Sequence, residues 1–298
     1  RTPRVAARGL RGLRMSALAR PPGAALPDFA IIGAMKAGTT TLHRLLDAHP
    51  DISMSRMKET DYFIDGAQFE LGPAWYRAQF DLTAAAVGEA SPNYTKRELF
   101  RGVPERMAAE APEARLIFVA RDPVARFASH YRHAWLLGHM DVRPEALLDS
   151  GPGRHMLATS RYAWQLAPWI ERFGRERLLI VDFDALRGDG QAVLDAVCDH
   201  VGIARHPVTL IGAQNEGESL ARMPKSLQRL WRTKAFRRLD PLISRGMRDR
   251  MRRILSVGPA RQAPELPPEV LEGATEALAE DAAAFRDLSG LPFPGWRV

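Results

Sequence analysis

From Asp28 onward, short apolar runs alternate with segments of helical period. "FAIIG", Phe29 to Gly33, is a continuous apolar run closed by glycine, the pattern of a strand buried on both faces. "TTTLHRLLDAHP" follows with Leu42, Leu45 and Leu46 at helical spacing and stops before Pro50. "AAAVGEASP" predicts a short strand feeding a turn. "ARLIFVARDP" predicts another, apolar from Leu116 to Val119 and ended by Asp122-Pro123. Helical patterns run over about 124–138 and 155–173, "RLLIVDFDAL" is a further strand, and "GQAVLDAVCDHVGI" a further helix. An acidic, alanine-rich helix over about 268–288 closes the chain. Strands alternating with helices predict βαβ units: an α/β fold with a parallel sheet of about five strands and helices on both faces. Ligands of such sheets sit at the carboxyl ends of the strands.

Composition narrows the picture at a few points. With 298 residues, 46% of them hydrophobic and 26% charged, the chain suits one core-bearing domain, expected over 28–298. The first 27 residues are rich in arginine and contain no acid, and read as a basic leader outside the fold. No run approaches the roughly 18–20 apolar residues of a spanning helix. The only cysteine, Cys198, stands at helical spacing among apolar neighbours, so a buried thiol and a reducing cytoplasm are expected. The net charge of +7 favours anionic partners. Residues 222–262 concentrate Lys and Arg, interleaved with Leu227, Leu230, Trp231, Phe236 and Leu239. That pattern suits a helix packing its apolar stripe on the domain, or a peripheral contact with an anionic membrane surface.

The loop between the first strand and helix carries the candidate chemistry. A nucleotide-binding phosphate loop reads G-x-x-x-x-G-K-[ST]. Gly33 and Gly38 have that separation, but Thr39 follows the second glycine and the lysine, Lys36, lies inside the loop. Backbone N–H groups and a helix N-terminus still make an anion site. The strand that would end in a magnesium-ligating acid ends instead in Arg121, a residue suited to holding a phosphate directly. The pattern calls for a nucleotide with separated phosphates and no metal.

"GAMKAGTTTL" followed by "VARDPVARFASHYRH" resembles the two cofactor signatures of sulfotransferases that use 3′-phosphoadenosine 5′-phosphosulfate (PAPS), above all the glycan-modifying branch with its heparan sulfate enzymes and bacterial relatives. The resemblance covers roughly 28–205. It implies that Lys36, Ala37, Gly38, Thr39, Thr40 and Thr41 hold the phosphosulfate, with Lys36 against the bridging oxygen, and that Arg121 and Ser129 clamp the 3′-phosphate. It implies a cofactor contact for Tyr162 in "ATSRYAWQL", and a lid in "NEGESLARMPK" carrying Gly217, Arg222 and Lys225. Tyr131 and His133 are expected to pack or face solvent, and Trp164 and Trp169 to be core.

"SMSRMKETDYF" resembles the family segment in which a Lys-Glu pair precedes an aromatic cluster, so Glu59 matches the base and Lys58 its neighbour. "GEASPNY" resembles an acceptor-side segment, which makes Glu89, Ser91 and Tyr94 candidate acceptor contacts and Glu89 a reserve base; Ala90 stands where several relatives carry lysine. The implied partners are a nucleotide donor and a carbohydrate or lipid-linked acceptor, not nucleic acid. Two other readings remain open at this point: a P-loop kinase of a small metabolite, which would need magnesium, and a non-catalytic basic module binding anions with strong salt dependence.

Overall fold

A computed structural model describes residues 25–66, 68–209 and 262–298. The basic leader up to residue 24, the 222–261 stretch, and Gly217, Arg222 and Lys225 lie outside the described residues.

Five parallel strands form one sheet in the order β2-β3-β1-β4-β5: β1 (Phe29–Gly33), β2 (Ile52–Met54), β3 (Ala86–Ala90), β4 (Arg115–Ala120) and β5 (Leu178–Asp182). β1 is central, and all five of its residues are buried. It pairs with β3 through Phe29–Gly88 and Ile31–Ala90, and with β4 through Phe29–Arg115 and Ile31–Ile117. The apolar, β-branched composition of β1 and β4 follows from this position, because helices cover both faces.

The helices in chain order are α1 (Thr39–Asp47), α2 (Gly72–Arg77), α3 (Val103–Glu110), α4 (Pro123–Leu136), α5 (Gly151–Ala158), α6 (Tyr162–Phe173), α7 (Phe183–Gly188), α8 (Gly190–Val201) and α9 (Pro268–Ser289). The single helix expected over 155–173 is two, broken at Thr159–Arg161. Ser160 turns inward there to accept a hydrogen bond from Arg126 Nε at 2.8 Å, which ties the break to α4. Cys198 is buried on α8 as expected. No helix among the described residues is long and apolar enough to cross a membrane.

The chain leaves β1 toward β2 and β3 on one side, and later returns to β4 on the other. The carboxyl ends of β1 and β4 therefore flank the switch point of the sheet, where a crevice opens. Gly33, the last residue of β1, has no room for a side chain: a Cβ would stand 2.6 Å from Thr95 Oγ1 and 2.7 Å from the Phe118 ring.

Candidate active site

The loop Ala34–Gly38 joins β1 to α1 and is shaped by its own backbone. Ala34 N–H donates to Val119 O of β4 at 3.0 Å, and Lys36 (φ 69°) and Gly38 (φ 92°) both adopt left-handed conformations. At Gly38 a Cβ would stand 2.9 Å from the Phe183 ring, so the position needs glycine on two counts. No side chain caps the N-terminus of α1. A loop of alternating backbone hand leading into an uncapped helix start concentrates N–H groups and positive dipole on one concavity, the arrangement that takes a phosphate.

A cleft of about 350 Å³ opens over this loop. Lys36, Gly38, Thr39, Thr40 and Thr41 form its floor, with Arg44 one turn further along α1. Arg121 and Ser129 enter from the β4–α4 side, Lys58 and Glu59 from the segment after β2, and Pro92 and Asn93 from the turn after β3. The sequence signatures thus converge from four separate stretches. Ala37 is fully buried, so only its backbone can serve the loop.

Arg121 is held from three sides. One guanidinium nitrogen donates to Lys36 O at 3.2 Å, the guanidinium carbon lies 4.9 Å from the centre of the Phe183 ring, and the Tyr162 hydroxyl donates to Arg121 O at 2.9 Å. Burial lowers the Arg121 pKa, a sign that the charge stands in a partly desolvated place where an anion would be held more strongly than in water. Tyr162 itself is 1% exposed and packs on Phe118, Phe285 and Trp296. The structure does not bring its side chain into the cleft, and it fixes the Arg121 backbone from behind.

Asp122, next to Arg121, is engaged elsewhere. Its Oδ1 caps α4 by accepting from the N–H groups of Val124 (2.8 Å) and Ala125 (3.3 Å), and its Oδ2 accepts from Arg297 N–H at 3.0 Å. Five residues on from Arg121, Arg126 is fully buried among neutral acceptors: Ser160 Oγ, Met35 O at 3.4 Å and Met156 O at 2.6 Å. Burial pulls its pKa down to about 10. Still charged at neutral pH, it adds positive potential beneath the loop.

On the opposite wall, Lys58 Nζ lies 2.8 Å from Glu59 Oε1, and the Glu59 side chain is 47% exposed at the cleft mouth. The three expected acceptor contacts sit elsewhere. Glu89, Ser91 and Tyr94 are all 1% exposed or less and do not line the cleft. The Glu89 carboxylate is a hub inside the wall: it accepts from Thr60, from Tyr76 OH (2.6 Å), from Ser91 Oγ (2.8 Å) and from Tyr94 OH (2.9 Å). Burial raises its pKa, and the four hydroxyls oppose that rise. The cluster also grips the segment that follows Glu59. Asp61 N–H donates to Ser91 Oγ at 3.1 Å, Phe63 N–H to Tyr94 OH at 3.3 Å, and Asn93 Nδ2 to Asp61 Oδ2 at 2.9 Å. With its oxygens occupied and its side chain fully buried, Glu89 anchors the segment that follows Glu59 through Thr60, Ser91 and Tyr94.

His133 lines the cleft, contrary to the expectation of a packing or surface role. The signal was available: it stands four residues after Ser129 on α4, one turn away on the same face. Burial, then the nearby charge of Lys36, pulls its pKa down to about 4, so it is a neutral imidazole at physiological pH. Glu59 opposes the shift, and His139 and Lys96 add to it. Because the folded state resists the proton that the unfolded imidazole takes up near its ordinary 6.5, stability is present above that pH and is lost as pH falls toward about 4. The melting temperature of the wild type should therefore drop across that window. In His133→Gln the drop should be shallower in pH-resolved thermal denaturation, part of it persisting through His130, which is shifted in the same direction.

Residues 26–217 match the family described as "Sulfotransferase domain". The chain belongs to the sulfotransferase family. It is 31% identical over 206 residues to the bifunctional heparan sulfate N-deacetylase/N-sulfotransferase 4 of Mus musculus, a match covering 61% of this chain and 23% of that protein. It is 31% identical over 190 residues to the heparan sulfate glucosamine 3-O-sulfotransferase 3B1 of Mus musculus, covering 60% of this chain and 47% of the other. This sulfotransferase thus spans about a quarter to a half of the length of these curated relatives. Its fold is shared with a sulfotransferase from Alicyclobacillus acidocaldarius, at a TM-score of 0.65 and 23% identity over 92% of this chain and all of the other. Family membership sets aside the kinase and the non-catalytic binding module.

Proposed function

We propose that this sulfotransferase takes the sulfuryl group of PAPS and passes it to a hydroxyl or amine of a carbohydrate or lipid-linked acceptor. The observation that supports this most is the single cleft that gathers Lys36, the Thr39–Thr41 loop, Arg121 and Ser129 on one side and Glu59 on the other. The donor set fits a nucleotide bearing two separated phosphates. The uncapped start of α1 and the left-handed loop suit the phosphosulfate end, and the partly desolvated Arg121 with Ser129 suits the 3′-phosphate. When bound, the donor supplies a sulfuryl group already activated by its phosphate.

The residues then divide the work of an in-line displacement. Glu59, held by Lys58, accepts the proton of the acceptor hydroxyl or amine as the new bond to sulfur forms. The bond from sulfur to the phosphate oxygen breaks, and adenosine 3′,5′-bisphosphate leaves with the negative charge. Lys36 and the loop N–H groups stabilise that charge where it develops. A carbohydrate acceptor is suggested by the heparan sulfate relatives, one named for N-sulfation and one for 3-O-sulfation.

Thermal stabilisation tests the donor site, because a ligand that binds only the folded state raises the melting temperature. Adenosine 3′,5′-bisphosphate should stabilise the wild type and ATP with magnesium should not, and Arg121→Ala should abolish the shift. Stabilisation by ATP–magnesium with none by the bisphosphate would overturn the assignment.

A further inference from the structure

The turn after β3 brings one side-chain amide to the cleft. Asn93 is half-buried and lines the same cleft as Glu59. Its Nδ2 donates to Asp61 Oδ2 at 2.9 Å. A carboxylate only accepts, so it fixes which end of the amide faces it, and Oδ1 takes the opposite end. That oxygen receives no hydrogen bond from any described residue and is not buried, which leaves an accessible acceptor on a cleft-lining side chain.

Asp61 holds this orientation at a local cost. Its backbone is left-handed (φ 48°), uncommon for a residue with a side chain. Its N–H donates to Ser91 Oγ at 3.1 Å, while its other carboxylate oxygen, Oδ1, is buried without a hydrogen-bond partner among the described residues. Burial raises the Asp61 pKa, and the hydrogen bond from Asn93 opposes the rise. A strained backbone and an orphaned oxygen two residues from the base point to a geometry kept for function.

The place of the amide decides what it can read. Lys36 and Arg121 enter the cleft from the ends of β1 and β4, whereas Glu59 and Asn93 enter from the segments after β2 and β3. The oxyanions of the donor call for the N–H groups and cations of the first side, and a carbonyl oxygen would repel them. A carbonyl beside the base matches a group that donates a hydrogen.

We propose that Asn93 is a specificity-determining residue for the acceptor: its carbonyl, oriented by Asp61, accepts a hydrogen bond from a second polar hydrogen of the acceptor while Glu59 takes the first. The chemistry selected is a second donor at or beside the nucleophile, supplied by a sugar amine or by a ring hydroxyl with a neighbouring hydroxyl. The inference deepens the function proposed above and rests on it.

The test measures transfer from PAPS to a glucosamine-containing oligosaccharide with free amines and to its N-acetylated form, which separates the two sources of the second hydrogen. Affinity for adenosine 3′,5′-bisphosphate is measured alongside. Asn93→Ala should lower kcat/KM by about 10- to 100-fold, mainly through KM, with bisphosphate affinity held within about twofold. Asp61→Asn keeps a hydrogen-bonded pair of the same shape but lets the Asn93 amide turn over. Its melting temperature should stay within a few degrees of the wild type while KM rises comparably. Exchanging the pair, Asp61→Asn with Asn93→Asp, presents an accepting oxygen to the cleft again and should recover most of the loss. An unchanged KM in Asn93→Ala overturns the proposal. So does a parallel loss of bisphosphate affinity, which would put the carbonyl on the donor. A joint fall in melting temperature and activity in all three variants marks a structural pair and equally overturns it. A wild type that binds the bisphosphate but sulfates neither oligosaccharide overturns the carbohydrate acceptor itself, and one that binds no bisphosphate overturns the donor site.

Discussion

Glu59→Gln is expected to lower the rate of sulfuryl transfer by about 10²- to 10⁴-fold, the range typical for losing a general base. Thermal stabilisation by adenosine 3′,5′-bisphosphate should remain as in the wild type. The expectation rests on where the side chain sits. Glu59 is at the cleft mouth with its carboxylate about half exposed, and Lys58 is its neighbour at 2.8 Å. Glutamine keeps the shape and a hydrogen-bonding capacity, so the wall behind it, strung on Thr60, Asp61 and Phe63 to the Glu89 cluster, has no reason to move. What disappears is a site that can take a proton as the acceptor oxygen or nitrogen attacks. A variant that keeps its rate within a few-fold would show that another group does this work. The neutral His133, lining the same cleft, would be the first to test, through His133→Gln in the Glu59→Gln background.

The parts of the fold written in short contiguous stretches are legible in the sequence. β1, β4 and β5 are apolar runs ended by glycine or by a polar turn, and each lies where its run predicts. The convergence of Lys36, Arg121 and Ser129 on one cleft is legible for the same reason. A loop and the helix after it are contiguous in sequence, as are a strand end and the helix carrying Ser129. The acceptor side is harder, because burial there is made by residues distant in the chain. "GEASPNY" reads as a strand end feeding a turn, with Glu89, Ser91 and Tyr94 as candidate acceptor contacts. It is buried because Tyr76 of α2 and Thr60 of the preceding loop close over Glu89, and no local pattern announces that meeting. The break between α5 and α6 is hidden similarly: both helices carry apolar periodicity, and only Arg126, reaching across from α4 to Ser160, gives the interruption its cause. His133 is legible in principle through its spacing from Ser129.

Lys36→Gly separates stability from activity more sharply than any other change in the loop. Lys36 has φ 69°, a left-handed conformation that costs most side-chain-bearing residues about 1 kcal/mol or more and that glycine adopts freely. The variant should therefore fold and melt within a few degrees of the wild type. Its backbone carbonyl, which accepts from Arg121 at 3.2 Å, is retained, so the 3′-phosphate clamp keeps its geometry and bisphosphate affinity should fall by roughly tenfold or less. The rate of transfer should fall by about 10²- to 10³-fold, the loss typical when a preorganised charge is removed from the point where negative charge develops. Removing an interaction that strengthens only as the sulfur–oxygen bond breaks lowers kcat more than it weakens binding. Equal losses in kcat and in bisphosphate affinity would instead make Lys36 a ground-state phosphate ligand and leave stabilisation of the leaving group to the backbone N–H groups of the loop. The placement of a lysine at a strained position, where glycine would be easier, is the local cost of putting an ammonium inside the loop rather than after it.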